Sequence, residues 1–249
     1  MTTAVSTNFA RPVSMTTESD RVKRFARPIG LLYLVLAIVG MFSVLVFETI
    51  LEPGDVATTM SNLKESGGLF GISLVTWVVI VSVDIALAVI FHIWLEPVSR
   101  TLSLITAVFR LAYAVALIAI LANLFSSYLL TNGSEYSTAL GASVLQTTAF
   151  SAMTDFRIGF SLALILFGVH LIGLGILLYR SRYIPGVIGI VLAIAGGGYV
   201  IDSFASFLVA DYSSAISMIV LAPAIIGEFG ITGWLLVKGA RNPLDSARG

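Results

Sequence analysis

Cysteine is absent from this 249-residue chain, and charge is scarce: Asp, Glu, Lys and Arg together make up 11% of it. The first absence excludes disulfides, thiolate-held metals and cysteine nucleophiles. The second excludes an ordinary soluble domain, in which about 25% of residues are charged. The net charge is zero, which argues against nucleic acid as a partner. The long apolar runs hold no lysine, so a retinal-type Schiff base is excluded. A Gly-rich phosphate loop, a His-Glu-x-x-His pair and a nucleophile elbow are also missing. The two histidines, His92 and His170, differ in depth along their runs by about 8 Å, which is poor for facing axial haem ligands. No cofactor and no metal site is expected.

What the chain has in abundance is apolar length. Hydrophobic residues make up 57% of it, and six runs are each long enough for a bilayer span, which needs about 20 residues. They are residues 28–51, 70–95, 102–130, 158–179, 184–207 and 215–237. The reading is an all-α integral membrane protein, a bundle of six transmembrane helices in contact with lipid. Residues 1–24 read as a disordered tail, 25–239 as the membrane domain and 240–249 as a second tail. Met15-Thr16-Thr17 repeats the opening Met1-Thr2-Thr3, so Met15 is an alternative start. Pro28 and Pro185 suit first helical turns, and Asp155 suits a cap for the fourth span.

Lys and Arg in short connections set orientation. Arg11, Arg21, Lys23, Arg24, Arg27, Arg100, Arg180, Arg182, Lys238, Arg241 and Arg248 fall on one side, against Lys64 and Arg157 on the other. The basic side is read as cytoplasmic, with both termini there, in a plasma membrane. The opposite side collects Glu48, Glu52, Asp55, Glu65, Glu135, Asp155 and Asp211. Trp94 and Trp234 read as interface anchors at the basic boundary, and His92 as a solvated boundary histidine. Between residues 131 and 157, Leu140, Val144, Leu145, Thr148 and Phe150 recur at near-helical spacing, which reads either as a short helix lying on the outer surface or as a lid over an outward-facing cavity. Gly189, Ala193 and Gly197 recur at four-residue steps, a close-packing signal between helices.

Four ionisable residues lie near the middle of four different spans: Asp84, Arg110, His170 and Glu228. A charge at the centre of a span costs about 2.5–3.5 kcal/mol. At about 1.5 Å per residue, Asp84 lies about 16 Å from the basic end and the other three about 13 Å. All four share a level near the midplane of a core about 30 Å thick, which predicts that they meet, with Asp84 pairing to Arg110. The remaining acid would then hold a proton, pair with a protonated His170 or bind a cation. Tyr199, Asp202, Ser203 and Ser206 form a polar stripe nearer the outer surface, read either as solvated helix end or as an outer vestibule. Three functions stay open: a site that handles or senses a proton or small polar ligand, a scaffold or partner-binding protein whose charges only fix packing, and an intramembrane lipid-modifying enzyme. An oligomer or a protein partner fits any of them.

These residues also carry a resemblance. Pro53-Gly54-Asp55, Asp84, Arg110, Phe167-Gly168-Val169-His170, Leu178-Tyr179-Arg180-Ser181, Ile184-Pro185-Gly186-Val187-Ile188-Gly189, Tyr199-Val200-Ile201-Asp202-Ser203-Phe204, Gly227-Glu228 and Trp234-Leu235-Leu236-Val237-Lys238-Gly239 resemble the bacterial membrane family catalogued as domain of unknown function 4386. The resemblance runs from about Arg24 to Gly239. It implies a multi-pass membrane fold and carries over no catalytic role.

Overall fold

The computed structural model describes residues 13–132, 141–209 and 212–241. Among them every regular element is helical: α1 (Val13–Ile50), α2 (Val56–Glu65), α3 (Gly67–Leu95), α4 (Arg100–Thr131), α5 (Ala142–Ser181), α6 (Gly186–Leu208) and α7 (Ser214–Val237). Six of them are long and apolar enough to cross a bilayer. Their outward faces carry large exposed aliphatics such as Ile38, Leu45, Val75, Val115 and Ile219. An apolar surface of that extent belongs against lipid rather than water. The expectations for residues 1–12 and 242–249, and for Glu135, Leu140 and Asp211, lie outside the described residues.

Each spanning helix packs chiefly on its neighbours in sequence, and α1 meets α7, so the six close into a ring. Both described chain ends sit at one end of it. There Trp94 Nε1 donates to Val22 O at 3.1 Å, Arg241 N donates to Tyr183 O at 2.7 Å, and the rings of Trp94 and Tyr183 lie 5.3 Å apart.

Several local expectations are corrected. Pro28 lies inside α1, not in its first turn. The helix extends earlier because Val22 and Ala26 are buried and Arg21 donates to Ile93 O, so tertiary contacts extend it across the proline. Trp94 is fully buried and serves the core, not a lipid interface. Trp234 stacks under the Arg241 guanidinium at 4.8 Å. His92 is half-buried, its Nδ1 3.0 Å from Ser103 Oγ, and is not a free solvated side chain. The amphipathic segment before the fourth span is not a separate surface helix. It is the opening of α5, whose 40 residues give a rod of about 60 Å. Leu145, Ala149, Met153 and Phe156 are buried along one face of it, and α2 packs against the same helix. Asp155 is therefore mid-helix and exposed, and Gly141 holds the N-cap position.

The close seam between α5 and α6 uses glycines at seven-residue spacing. Gly168 on α5 faces Gly196 on α6, and Gly175 faces Gly189. A Cβ on Gly189 would fall 2.6 Å from Gly175 O, and one on Gly196 would meet Gly168 O and, at 2.7 Å, Ile172 N. These are backbone atoms that cannot swing away. Gly197 has open space where its side chain would be, so the expected stripe is shifted by one residue at that end. The seam brings His170 and Tyr199, two and three residues from the Gly168–Gly196 contact, to the ring interior.

On α2, Asp55 caps the helix. Its carboxylate accepts from Thr58 N at 2.9 Å and from the Thr58 hydroxyl at 2.7 Å, and the preceding Gly54 takes a positive φ of 82° that favours glycine.

Two expected outcomes follow from these contacts. Gly196→Ala should lower the unfolding midpoint by a cost of about 1–3 kcal/mol through overpacking. Gly197→Ala should be neutral or stabilising by about 0.5–1 kcal/mol; equal penalties would contradict the seam. The Thr58 backbone N–H, and then its hydroxyl, hold the Asp55 carboxyl below the usual aspartate range. Its stabilisation of α2 is thus complete above that range and lost as pH falls through the depressed value. The protection of the Thr58 amide from hydrogen exchange, taken relative to the intrinsic rate at each pH, should fall on acidification in the wild type and be low at every pH in Asp55→Ala.

Candidate functional site

Each of the six spans delivers at least one polar side chain to the ring interior, among them Tyr33 from α1, Asp84 from α3, Arg110 from α4, His170 from α5, Tyr199 from α6 and Glu228 from α7. They fall into two groups. The first is a closed frame around Arg110, which is 0% exposed. Its Nη2 donates to Asp84 Oδ1 at 2.6 Å. Its Nη1 donates to Tyr33 OH at 3.2 Å and to His170 Nε2 at 2.9 Å. The guanidinium carbon lies 5.4 Å from the centroid of Tyr33 and 5.5 Å from that of Phe167, where ring faces add cation–π attraction.

The tautomer of His170 follows from its partners. Nδ1 lies 2.9 Å from Thr106 O, a carbonyl that can only accept, so Nδ1 carries the hydrogen. Nε2 faces a guanidinium that can only donate, so Nε2 offers its lone pair. Within this frame His170 is neutral, and it is not the cationic partner of Glu228 that the charge sum left open. With both nitrogens engaged, it has no capacity left for general acid–base work. The one unpartnered polar atom on Arg110 is Nε.

The second group is Glu228 with Tyr199. Tyr199 OH donates to Glu228 Oε1 at 3.2 Å, and Thr232 Oγ1 donates to the Glu228 carbonyl at 2.6 Å. Among the described residues, Glu228 makes no ion pair. Its side chain is enclosed by protein yet keeps some accessible surface because it lines a cavity of about 400 Å³. Asp84, Tyr33 and Tyr113 line the same cavity, together with apolar residues of α1, α3, α5 and α7. The rings of Trp77, Phe160 and Phe167 form part of its wall, and among the described residues the indole N–H of Trp77 has no partner. A volume of this size is within the range of small-ligand sites.

The outer stripe does not act as one unit. Tyr199 turns inward to Glu228. Asp202 accepts from Tyr212 OH at 2.7 Å. Ser206 donates to Ser203 O at 2.8 Å and lies 3.2 Å from Ser161 Oγ. Ser203 is buried, with its hydroxyl unpartnered. Tyr33, Tyr113 and Trp77 were not singled out from sequence. Tyr33 lies only six positions beyond Arg27, where an aromatic reads as an interface residue, and the signal that separates it is depth: Pro28 and the basic cluster lie behind it on a helix already under way.

A family model described as domain of unknown function (DUF4386) matches residues 29–239. An uncharacterized protein of Archaeoglobus fulgidus is 31% identical over 169 residues, which is 68% of this chain and 85% of the relative. No solved structure matches. The chain belongs to the DUF4386 family. The archaeal relative shows that similar chains extend beyond bacteria.

The two groups should respond differently to substitution. Arg110→Leu strands a buried carboxylate and should cost about 3–5 kcal/mol. Adding Asp84→Asn should recover part of that loss. Glu228→Gln keeps an acceptor for Tyr199 and should change stability by less than about 1 kcal/mol. Unfolding midpoints of the single and double variants measure this, and strictly additive penalties at Asp84 and Arg110 would contradict their coupling.

Proposed function

We propose that this member of the DUF4386 family is a non-enzymatic membrane protein that handles or senses a small ligand, a proton being the smallest case, in the cavity beside Glu228. It resides in the plasma membrane with both termini cytoplasmic, a placement supported by the Lys and Arg bias of its connections. One observation carries the reading: the buried charges divide into an ion-paired frame, Arg110 with Asp84, and a carboxylate, Glu228, that faces a cavity and makes no ion pair among the described residues. A protein whose charges only fixed helix register would pair them and leave no space. Here Arg110 and His170 bond α1, α3, α4 and α5 to one another, while Glu228 retains acceptor capacity on the cavity side. The intramembrane-enzyme reading is weaker, because the histidine it would use as base has both nitrogens spent.

The lack of cysteine makes the test direct. Ala37 lines the cavity, whereas Ala114 is fully buried away from it. In native membranes, Ala37→Cys should react with a small methanethiosulfonate reagent and Ala114→Cys should not. An unreactive Ala37→Cys in a folded protein would favour the scaffold instead.

A further inference from the structure

The lining of the cavity is confined to the middle of the bundle. Its α1 lining runs from Tyr33 to Val44 and its α7 lining from Ala224 to Thr232, both in the middle of their spans. Met41 and Ile225 line it while remaining 56% and 63% exposed. Gly40, which lines the cavity beside Met41, has no atom of the described residues within 4 Å of where a side chain would begin. The α1–α7 contact is also less extensive than any other seam of the ring. Counting about 1.5 Å per residue from Arg27, the opening is about 20 Å deep, within the hydrocarbon. A solute that enters here comes from the membrane and needs an apolar body.

The chemistry at the inner end selects its head. Arg110 and Asp84 neutralise each other, so the cavity's uncompensated group is an acid, Glu228. Among the described residues no cation is paired with it. The walls add aromatic rings: Tyr113 and Tyr199 line the space, as do Tyr33 and Phe167, which also flank Arg110. Phe167 and Tyr199 meet edge to face at 5.5 Å, and Tyr113 and Phe167 lie 5.0 Å apart. A carboxylate among aromatic rings is the arrangement that recognises organic ammonium ions. An anion would meet Glu228 without a free counter-charge, since the guanidinium is already held by Asp84, His170 and Tyr33.

We propose that the cavity binds an organic ammonium ion with an apolar body, entering sideways from the lipid between α1 and α7, with its head against Glu228 and the aromatic walls. This rests on the reading of the cavity as a ligand site, and it goes further by fixing the ligand's charge and route. With such a ligand bound, the interior charges of Asp84, Arg110, Glu228 and the ammonium sum to zero.

The test uses the full chain in nanodiscs and an isolength series of probes: nonyltrimethylammonium, nonanol and nonanoate. Binding to the native state raises the unfolding midpoint by mass action. The ammonium should raise it clearly more than the alcohol, and nonanoate should not raise it. Glu228→Gln should weaken the ammonium by about tenfold or more while leaving the alcohol unchanged. Gly40→Trp, placed in open space at the mouth, should abolish the shift from either probe. Should that variant not fold, nonyltrimethylammonium must instead slow modification of Ala37→Cys. An ammonium shift no larger than the alcohol's, or one that survives Glu228→Gln, overturns the assignment of charge. A full shift in folded Gly40→Trp overturns the lateral route. Reactive Ala37→Cys with no ammonium preference sinks this inference alone, whereas unreactive Ala37→Cys sinks the ligand-site reading beneath it.

Discussion

A guanidinium held at the centre of a bilayer is the constraint from which the rest of this structure follows. Arginine does not shed its charge, and hydrocarbon offers no solvation, so Arg110 must find its partners within the protein. Asp84 supplies the counter-charge, His170 and Tyr33 supply acceptors, and two aromatic faces flank the cation. Those partners come from three other helices. Satisfying one side chain therefore fixes the relative rotation of α1, α3, α4 and α5. The net gain from such a pair over an apolar core is small or negative, and its contribution is to specify one arrangement.

The other part of the ring is joined by different physics. Lipid provides no hydrophobic drive for helices to associate, so close backbone packing does the work. The paired glycines of α5 and α6 remove the side chains that would hold the two backbones apart. α7 then completes the ring through α6 and a thinner contact with α1. Where the polar frame ends and the thin contact begins, the cavity and Glu228 are found. The site thus arises at the junction of a rigid part and a loosely closed one, and this is where access to a membrane interior is easiest to build.

Much of the fold was legible because hydrocarbon imposes one long, coarse rule. Six apolar runs became six spanning helices, and the shared depth of Asp84, Arg110 and His170 became a contact. What stayed hidden depended on rotation and neighbours. The depth count put Glu228 on the same level without saying that it faces a cavity apart from Arg110. Tyr199 was grouped with Asp202 by spacing, yet its hydroxyl reaches inward to Glu228 while Asp202 accepts from Tyr212. Trp94 looked like an interface anchor until the extension of α1 covered it, a tertiary effect with no local signature. Pro28 misled for the same reason: its preference for a first turn is weaker than the burial of Val22 and Ala26 before it.

The Arg110 frame fixes the arrangement of the helices around it, and His170 reports on that frame from within. The chain has two histidines, so nitrogen-15 labelling of histidine gives two ring systems, and a His92→Asn variant leaves one. Solid-state NMR of that variant in bilayers at neutral pH should show a neutral ring with hydrogen on Nδ1 and a bare, hydrogen-bonded Nε2. An imidazolium, or hydrogen on Nε2, would mean that Arg110 is not donating to it and that the charges are shared out in some other way.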